Sequence, residues 1–89
     1  MSQEKLRTEL EALHQELQTA GTVGPEHREL LRTLSDDIAR LLNHANAEPQ
    51  QYSGLRDQLH DAVAQVEASL PRTTLLMRQV IDSISYLGI

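Results

Sequence analysis

The fold of this chain is decided by the segment LRDQLHDAVAQVEASLPRTTLLMRQVIDSISYL, residues 55–87. Its apolar residues recur at intervals of three and four, which places them on one face of an α-helix. They are Leu59, Val63, Val66, Leu70, Met77, Val80, Ile84 and Leu87. Pro71 stands in the middle of this pattern, and a proline inside a helix removes a hydrogen bond and clashes with the preceding turn. Pro71 therefore determines how many helices the chain forms.

Two architectures fit this segment. In one, a helix ends near Ser69 and a fourth helix begins at Pro71, which gives an up-down four-helix bundle. In the other, a helix that begins at about residue 53 continues through Pro71 with a kink and ends at about residue 87. The apolar pattern keeps its register across Pro71, and no Gly, Asn or Asp lies nearby to form a reversal. The pattern therefore favours the long kinked helix.

The same apolar spacing predicts one helix over about 2–20 and a second over about 25–44. Pro25 suits the first position of the second helix, where its missing N–H costs little. The short connection 21–24 predicts an antiparallel hairpin of these two helices. The expected fold is all-α: this hairpin packs on the long C-terminal helix, and residues 1–89 form a single helical domain.

The third helix is expected over about 53–70, with its continuation or a fourth helix over about 71–87. The polar stretch 46–54 is expected to form a loop, because it is rich in residues that favour turns. Ser53 would then cap the start of the third helix. Gly88 would stop the last one.

Composition limits the classes of function. The 89-residue chain has no Phe, Trp or Cys and carries a net charge of −5. Disulfides and Cys-ligated metals are thereby excluded. The acidic balance argues against nucleic acid as a partner, since that affinity depends on clustered basic residues. The chain shows no signal peptide and no apolar run long enough to span a membrane, so a cytoplasmic location is expected.

The C-terminal segment is the most apolar part of the chain and suggests self-association. A helix of about 34 residues would measure roughly 50 Å, against about 28 Å for each arm of the hairpin, so part of its apolar face would stay uncovered. Uncovered apolar surface of that kind usually marks an interface. The sequence therefore predicts a homodimer formed by the C-terminal helices, and a module for protein–protein interaction. Its expected contacts are Leu76, Met77, Val80, Ile81, Ile84 and Leu87.

A metal-binding helical bundle is the alternative function. Glu11 and His14 form one E-x-x-H pair, and Asp57 and His60 form a similar D-x-x-H pair. Di-metal bundles use such pairs when they point into the core. Here both pairs fall on the polar flanks of their helices, which favours solvated surface residues. No nucleophile–base arrangement and no phosphate-binding loop is present, so neither an enzyme nor a cofactor is expected.

Three stretches resemble a known protein family. They are LHQEL at 13–17, SDDIARLL at 35–42 and LRDQLHDAVAQVEASLP at 55–71. They resemble a family of small, all-helical gammaproteobacterial proteins of about 90 residues that is known only as a domain of unknown function. Members typically end in Gly-Ile, as Gly88–Ile89 does here, and often carry His where this chain has Ser69. The resemblance implies a cytoplasmic bacterial protein and assigns no catalytic or binding residues.

Overall fold

In a computed structural model, the chain is described over residues 2–19, 25–43 and 49–87. These residues form four α-helices, which are α1 (Ser2–Thr19), α2 (Pro25–Asn43), α3 (Pro49–Val66) and α4 (Pro71–Tyr86). The three prolines of the chain each occupy the first residue of a helix. Proline suits that position because its fixed φ is already helical and its missing N–H would have no partner there.

The four helices pack as a bundle, which confirms the all-α prediction and its four-helix alternative. Helix α1 contacts α2 and α4, and α3 contacts the same two helices. Within the described residues, the diagonal pairs α1–α3 and α2–α4 do not contact each other. Each helix therefore buries one stripe against two neighbours and leaves the opposite face open.

The prediction of a long helix kinked at Pro71 is wrong. The Leu70 N–H donates to the Val66 carbonyl at 2.8 Å, which closes the last turn of α3. Leu70 itself has φ −133° and ψ 69°, outside the helical region. A proline ring disfavours helical backbone in the residue before it, so the helix cannot continue through Leu70, and the chain reverses without any glycine.

Burial explains why the reversal prevails over a straight continuation. The longest dimension of the fold is 35 Å, whereas a continuous helix would need roughly 50 Å. Reversal brings α4 back against α1 and α3, where Met77, Val80 and Ile84 become fully buried. Burying each such side chain contributes about 1.5–3 kcal/mol. That gain would be lost if α4 extended beyond the other helices.

The start of α3 also differs from the prediction. Residues 49–54, expected to form a loop, are helical, and Ser53 lies inside α3 instead of capping it. The signal for the true start is Pro49, which takes the first helical position in the same way as Pro25. The predicted reversal at 21–24 and the predicted stop at Gly88 lie outside the described residues.

One apolar cluster joins all four helices. It is built from aliphatic side chains and Met77 and contains no aromatic ring in its fully buried part. Its members are Leu6, Leu10, Leu13, Leu17, Leu31, Leu34, Ile38, Leu41, Leu55, Leu59, Ala62, Val66, Met77, Val80, Ile81 and Ile84. Tyr52 is only partly buried and packs at its margin. The core therefore depends on the length and regularity of the four apolar stripes.

Candidate functional site

The structure does not bring the four predicted metal-binding residues together. Glu11 and His14 lie on α1, and Asp57 and His60 lie on α3, which is the helix diagonal to α1. Glu11, Asp57 and His60 are exposed, and His14 is half-buried. Among the described residues, no group of three or more His, Asp or Glu side chains converges to hold a metal ion.

Two open grooves lie between α2 and α3, with volumes of about 240 and 250 Å³. The first is lined by both apolar and polar groups, and the polar groups include those of Asp37, Arg40 and Gln58. The second is mostly apolar, with Asp61 and Thr33 among its polar residues. Neither groove is lined by a His or Lys side chain among the described residues, and the carboxyl groups on their walls are those of Asp37 in the first and of Glu29 and Asp61 in the second.

The six predicted interface residues divide into two groups. Met77, Val80, Ile81 and Ile84 lie in the core of the single chain, where at most 7% of each side chain is exposed. Leu76 and Leu87 are partly buried and pack against the margin of that core. The face of α4 that was expected to contact a second molecule is therefore the face that contacts α1 and α3.

The outer face of α4 carries the exposed apolar residues of the bundle. Leu75 is 57% exposed and Tyr86 is 83% exposed, and these are the exposed large hydrophobic residues of the described chain. Eleven residues separate them, so at about 100° per residue they lie within about 20° of each other around the helix. Exposed Gln79 and Asp82 lie between them on the same face. We call these four residues the outer stripe of α4.

Polar contacts to α1 and α3 flank the outer stripe on both edges. On the α1 side, the Ser83 hydroxyl donates a short hydrogen bond to Glu9, and Arg72 lies 3.6 Å from Glu16. On the α3 side, Arg78 Nη2 donates to Glu67 Oε1 at 2.9 Å. Exposed ion pairs of this kind contribute little to stability, so the orientation of α4 depends on the burial of its other face against α1 and α3. The stripe is thus presented on a fixed helix.

Leu75 and Tyr86 were not among the interface residues predicted from the sequence. The prediction followed the dominant apolar stripe of α4, which is the stripe that an isolated bundle buries. The signal for the second stripe is the spacing of two apolar residues, 11 positions apart, outside the phase of the first stripe. Only the packing of α1 and α3 shows which of the two stripes stays exposed.

Comparisons with known proteins place the chain in a family. No helix of the described residues is long and apolar enough to cross a membrane. Neither a curated protein nor a solved structure matches the chain. A family model does match residues 6–89, and this range contains all three stretches on which the resemblance rests. The bacterial origin stays a prediction. The chain belongs to the DUF4404 family, which is described as a domain of unknown function.

Proposed function

We propose that this protein is a non-enzymatic helical module for protein–protein interaction that self-associates through α4. The observation that supports the proposal is the exposure of Leu75 and Tyr86 on one face of one helix. Large apolar side chains on a shared face lose unfavourable contact with water when a second protein covers them. The contact surface differs from the one expected from the sequence, but the helix is the same.

The charge distribution favours α4 as the contact helix. Two copies of a chain with a net charge of −5 repel each other over most of their surfaces. Helix α4 carries Arg72 and Arg78 against the single acid Asp82, whereas acids outnumber bases in each of α1, α2 and α3. A contact through α4 therefore leaves the acidic excess of both copies, which lies on α1, α2 and α3, outside the contact.

The small size of the stripe predicts a weak and dynamic contact. Its two apolar residues are separated by about 16 Å along the helix, at about 1.5 Å per residue. A contact through two apolar residues per copy buries less surface area than the interfaces of stable complexes, and small contacts of this kind are typical of transient complexes. We expect a dissociation constant of roughly 10 µM to 1 mM, which corresponds to about 4–7 kcal/mol.

Sedimentation velocity across that concentration range tests the proposal. The wild-type chain should shift from monomer to dimer as its concentration rises. The double substitution Leu75→Gln with Tyr86→Gln should keep it monomeric, with an unchanged far-UV circular dichroism spectrum. The matched control is Arg32→Gln, an exposed substitution on α2, the helix diagonal to α4. A wild-type chain that stays monomeric, or a double variant that dimerises like wild type, would refute the proposal.

The location and partners expected from the sequence belong to the same proposal. A cytoplasmic protein without nucleic-acid partners agrees with the absence of Cys and with the dispersal of the eight basic residues along the chain. Fractionation of native cells checks the location, and a filter-binding assay with duplex DNA and single-stranded RNA checks the partners. Recovery in the membrane fraction, or retention of either nucleic acid at physiological salt, would count against this part.

A further inference from the structure

We propose that two copies pack their α4 helices antiparallel about a two-fold axis that passes between residues 80 and 81. This inference rests on the proposed self-association and specifies its geometry. It depends on the symmetric spacing of the outer stripe. Its members are four, three and four residues apart, so the spacing is the same from either end. A two-fold axis perpendicular to two antiparallel helices pairs their residues in reverse order, so a stripe with this symmetric spacing can lie directly on its equivalent in the second copy.

The antiparallel arrangement pairs unlike residues of the stripe. Leu75 lies opposite Tyr86 of the second copy, so an aliphatic side chain covers an aromatic ring at each end of the contact. Gln79 lies opposite Asp82 of the second copy, so an amide N–H can donate to a carboxylate. Such charge-assisted hydrogen bonds are stronger than those between neutral groups. The symmetry repeats each of these contacts, which gives four pairs in all.

Asp82 is available for this role. It is exposed, and no hydrogen bond or ion pair joins its carboxylate to another described residue. In the antiparallel arrangement, the two Asp82 residues are offset by about 4.5 Å along the helix axis. Each Asp82 carboxylate then faces the Gln79 amide of the second copy. Arg78 of the second copy is the residue next to that glutamine in the sequence.

A parallel arrangement of the same two faces lacks these features. It sets Asp82 directly opposite Asp82 of the second copy, and like charges that face each other destabilise a helix contact. It also sets each Gln79 opposite its equivalent and each Tyr86 opposite its equivalent. The polar centre of the stripe therefore selects the direction of the second helix, while Leu75 and Tyr86 supply the apolar contact.

Charge substitutions at residue 79 test the direction without changing the apolar residues. Gln79→Lys would create two ion pairs with Asp82 across an antiparallel contact, and we expect the dissociation constant to fall about threefold to tenfold. Gln79→Glu would gather four carboxylates around the two-fold axis and should raise the dissociation constant by a similar factor. If Gln79→Lys weakens the dimer, two lysines face each other, the contact is parallel, and the inference is wrong.

Cysteine cross-linking gives a second, independent measurement, because the chain contains no natural Cys. An equimolar mixture of Leu75→Cys and Tyr86→Cys should form a disulfide between copies faster than either variant alone, since the antiparallel contact separates each residue from its own equivalent by about 16 Å. Thr33→Cys on α2 measures the background. Faster cross-linking of either variant with itself would overturn the inference.

The two proposals fail in different ways. If the wild-type chain remains monomeric in sedimentation, both the proposed function and this inference are wrong. A wild-type dimer that responds to Leu75→Gln with Tyr86→Gln, but shows the parallel pattern in either of the two tests, removes only the inference. A dimer in which the mixed cysteine variants do not exceed the Thr33→Cys background also contradicts the antiparallel register.

Discussion

At the scale of single residues, burial separates substitutions that test the core from those that test the surface. Ile84 is fully buried in the apolar cluster of the single chain. Ile84→Asp should unfold the protein, because an unpaired carboxylate in an apolar core costs several kcal/mol. Ile84→Val should cost only about 0.5–1.5 kcal/mol. Urea unfolding followed by circular dichroism measures both, and a folded Ile84→Asp monomer would show that Ile84 is not in the core.

Thr74, in the same helix, carries a buried polar group that lowers the stability of the fold. Its side chain is 3% exposed, and its hydroxyl oxygen is buried without a hydrogen-bond partner among the described residues. An unsatisfied buried polar group costs about 1–3 kcal/mol. Thr74→Val, which has nearly the same shape, should therefore leave the free energy of unfolding unchanged or raise it by about 1 kcal/mol.

The matched control for Thr74→Val is Thr33→Val, at an exposed position on α2. Both substitutions exchange the same side chains inside a helix, so any effect of helix propensity cancels between them. A loss of stability at residue 74 larger than the change at residue 33 would mean that the Thr74 hydroxyl makes a stabilising hydrogen bond.

At the scale of the helices, α3 contains one clear weakness. Gly54 lies inside α3, it is exposed, and apart from its chain neighbours and the adjoining helix backbone no atom lies within 4 Å of the position that a Cβ would occupy. Glycine inside a helix costs about 0.5–1 kcal/mol relative to alanine. Gly54→Ala should therefore raise the free energy of unfolding by that amount, and the melting temperature by several degrees.

Thermal unfolding by circular dichroism measures the effect of Gly54→Ala. Gln58→Ala, one turn further along α3 and also exposed, provides the control because glutamine already has a good helix propensity. Equal shifts for both variants, or a loss of stability with Gly54→Ala, would mean that residue 54 is not in a regular helix.

The reversal between α3 and α4 tests what ends a helix in this chain. Pro71, the first residue of α4, restricts the backbone of Leu70, but burial of the α4 stripe stabilises the reversal as well. Pro71→Ala should therefore keep the four-helix fold and lose only about 0.4–1 kcal/mol, through the greater freedom of the unfolded chain. Small-angle X-ray scattering on dilute protein should show an unchanged radius of gyration. A marked increase would indicate that a continuous α3–α4 helix forms when Pro71 is absent.

At the scale of the whole molecule, the shared core predicts cooperative unfolding. All four helices contribute to one apolar cluster, and no helix of the described chain buries its stripe against a single neighbour. Losing one helix would expose the stripes of two others, so partly unfolded states should be sparsely populated. Urea transitions followed by circular dichroism and by tyrosine fluorescence should coincide. Separate transitions would show that a pair of helices is stable by itself.

The sequence by itself determined that the chain is helical. The three-and-four spacing of leucines, valines and isoleucines predicted an all-α chain and the extents of α1 and α2, because side-chain periodicity follows directly from helix geometry. Each proline begins a helix, and the sequence predicts this role for Pro25, offers it as one of two alternatives for Pro71 and does not predict it for Pro49. The start of α3 was missed, because the polar residues that follow Pro49 are typical of a loop as well as of an exposed helix turn.

Only the tertiary structure decided which apolar surfaces are shared and which remain open. The register of the apolar pattern is the same for a continuous helix and for two helices joined by a short reversal, so periodicity could not separate them. Packing separates them, because only the reversal lets the residues around Met77 and Ile84 reach α1 and α3. The same packing covers the predicted interface and leaves Leu75 and Tyr86 exposed. Burial depends on neighbours distant in the sequence, and local patterns do not specify those neighbours.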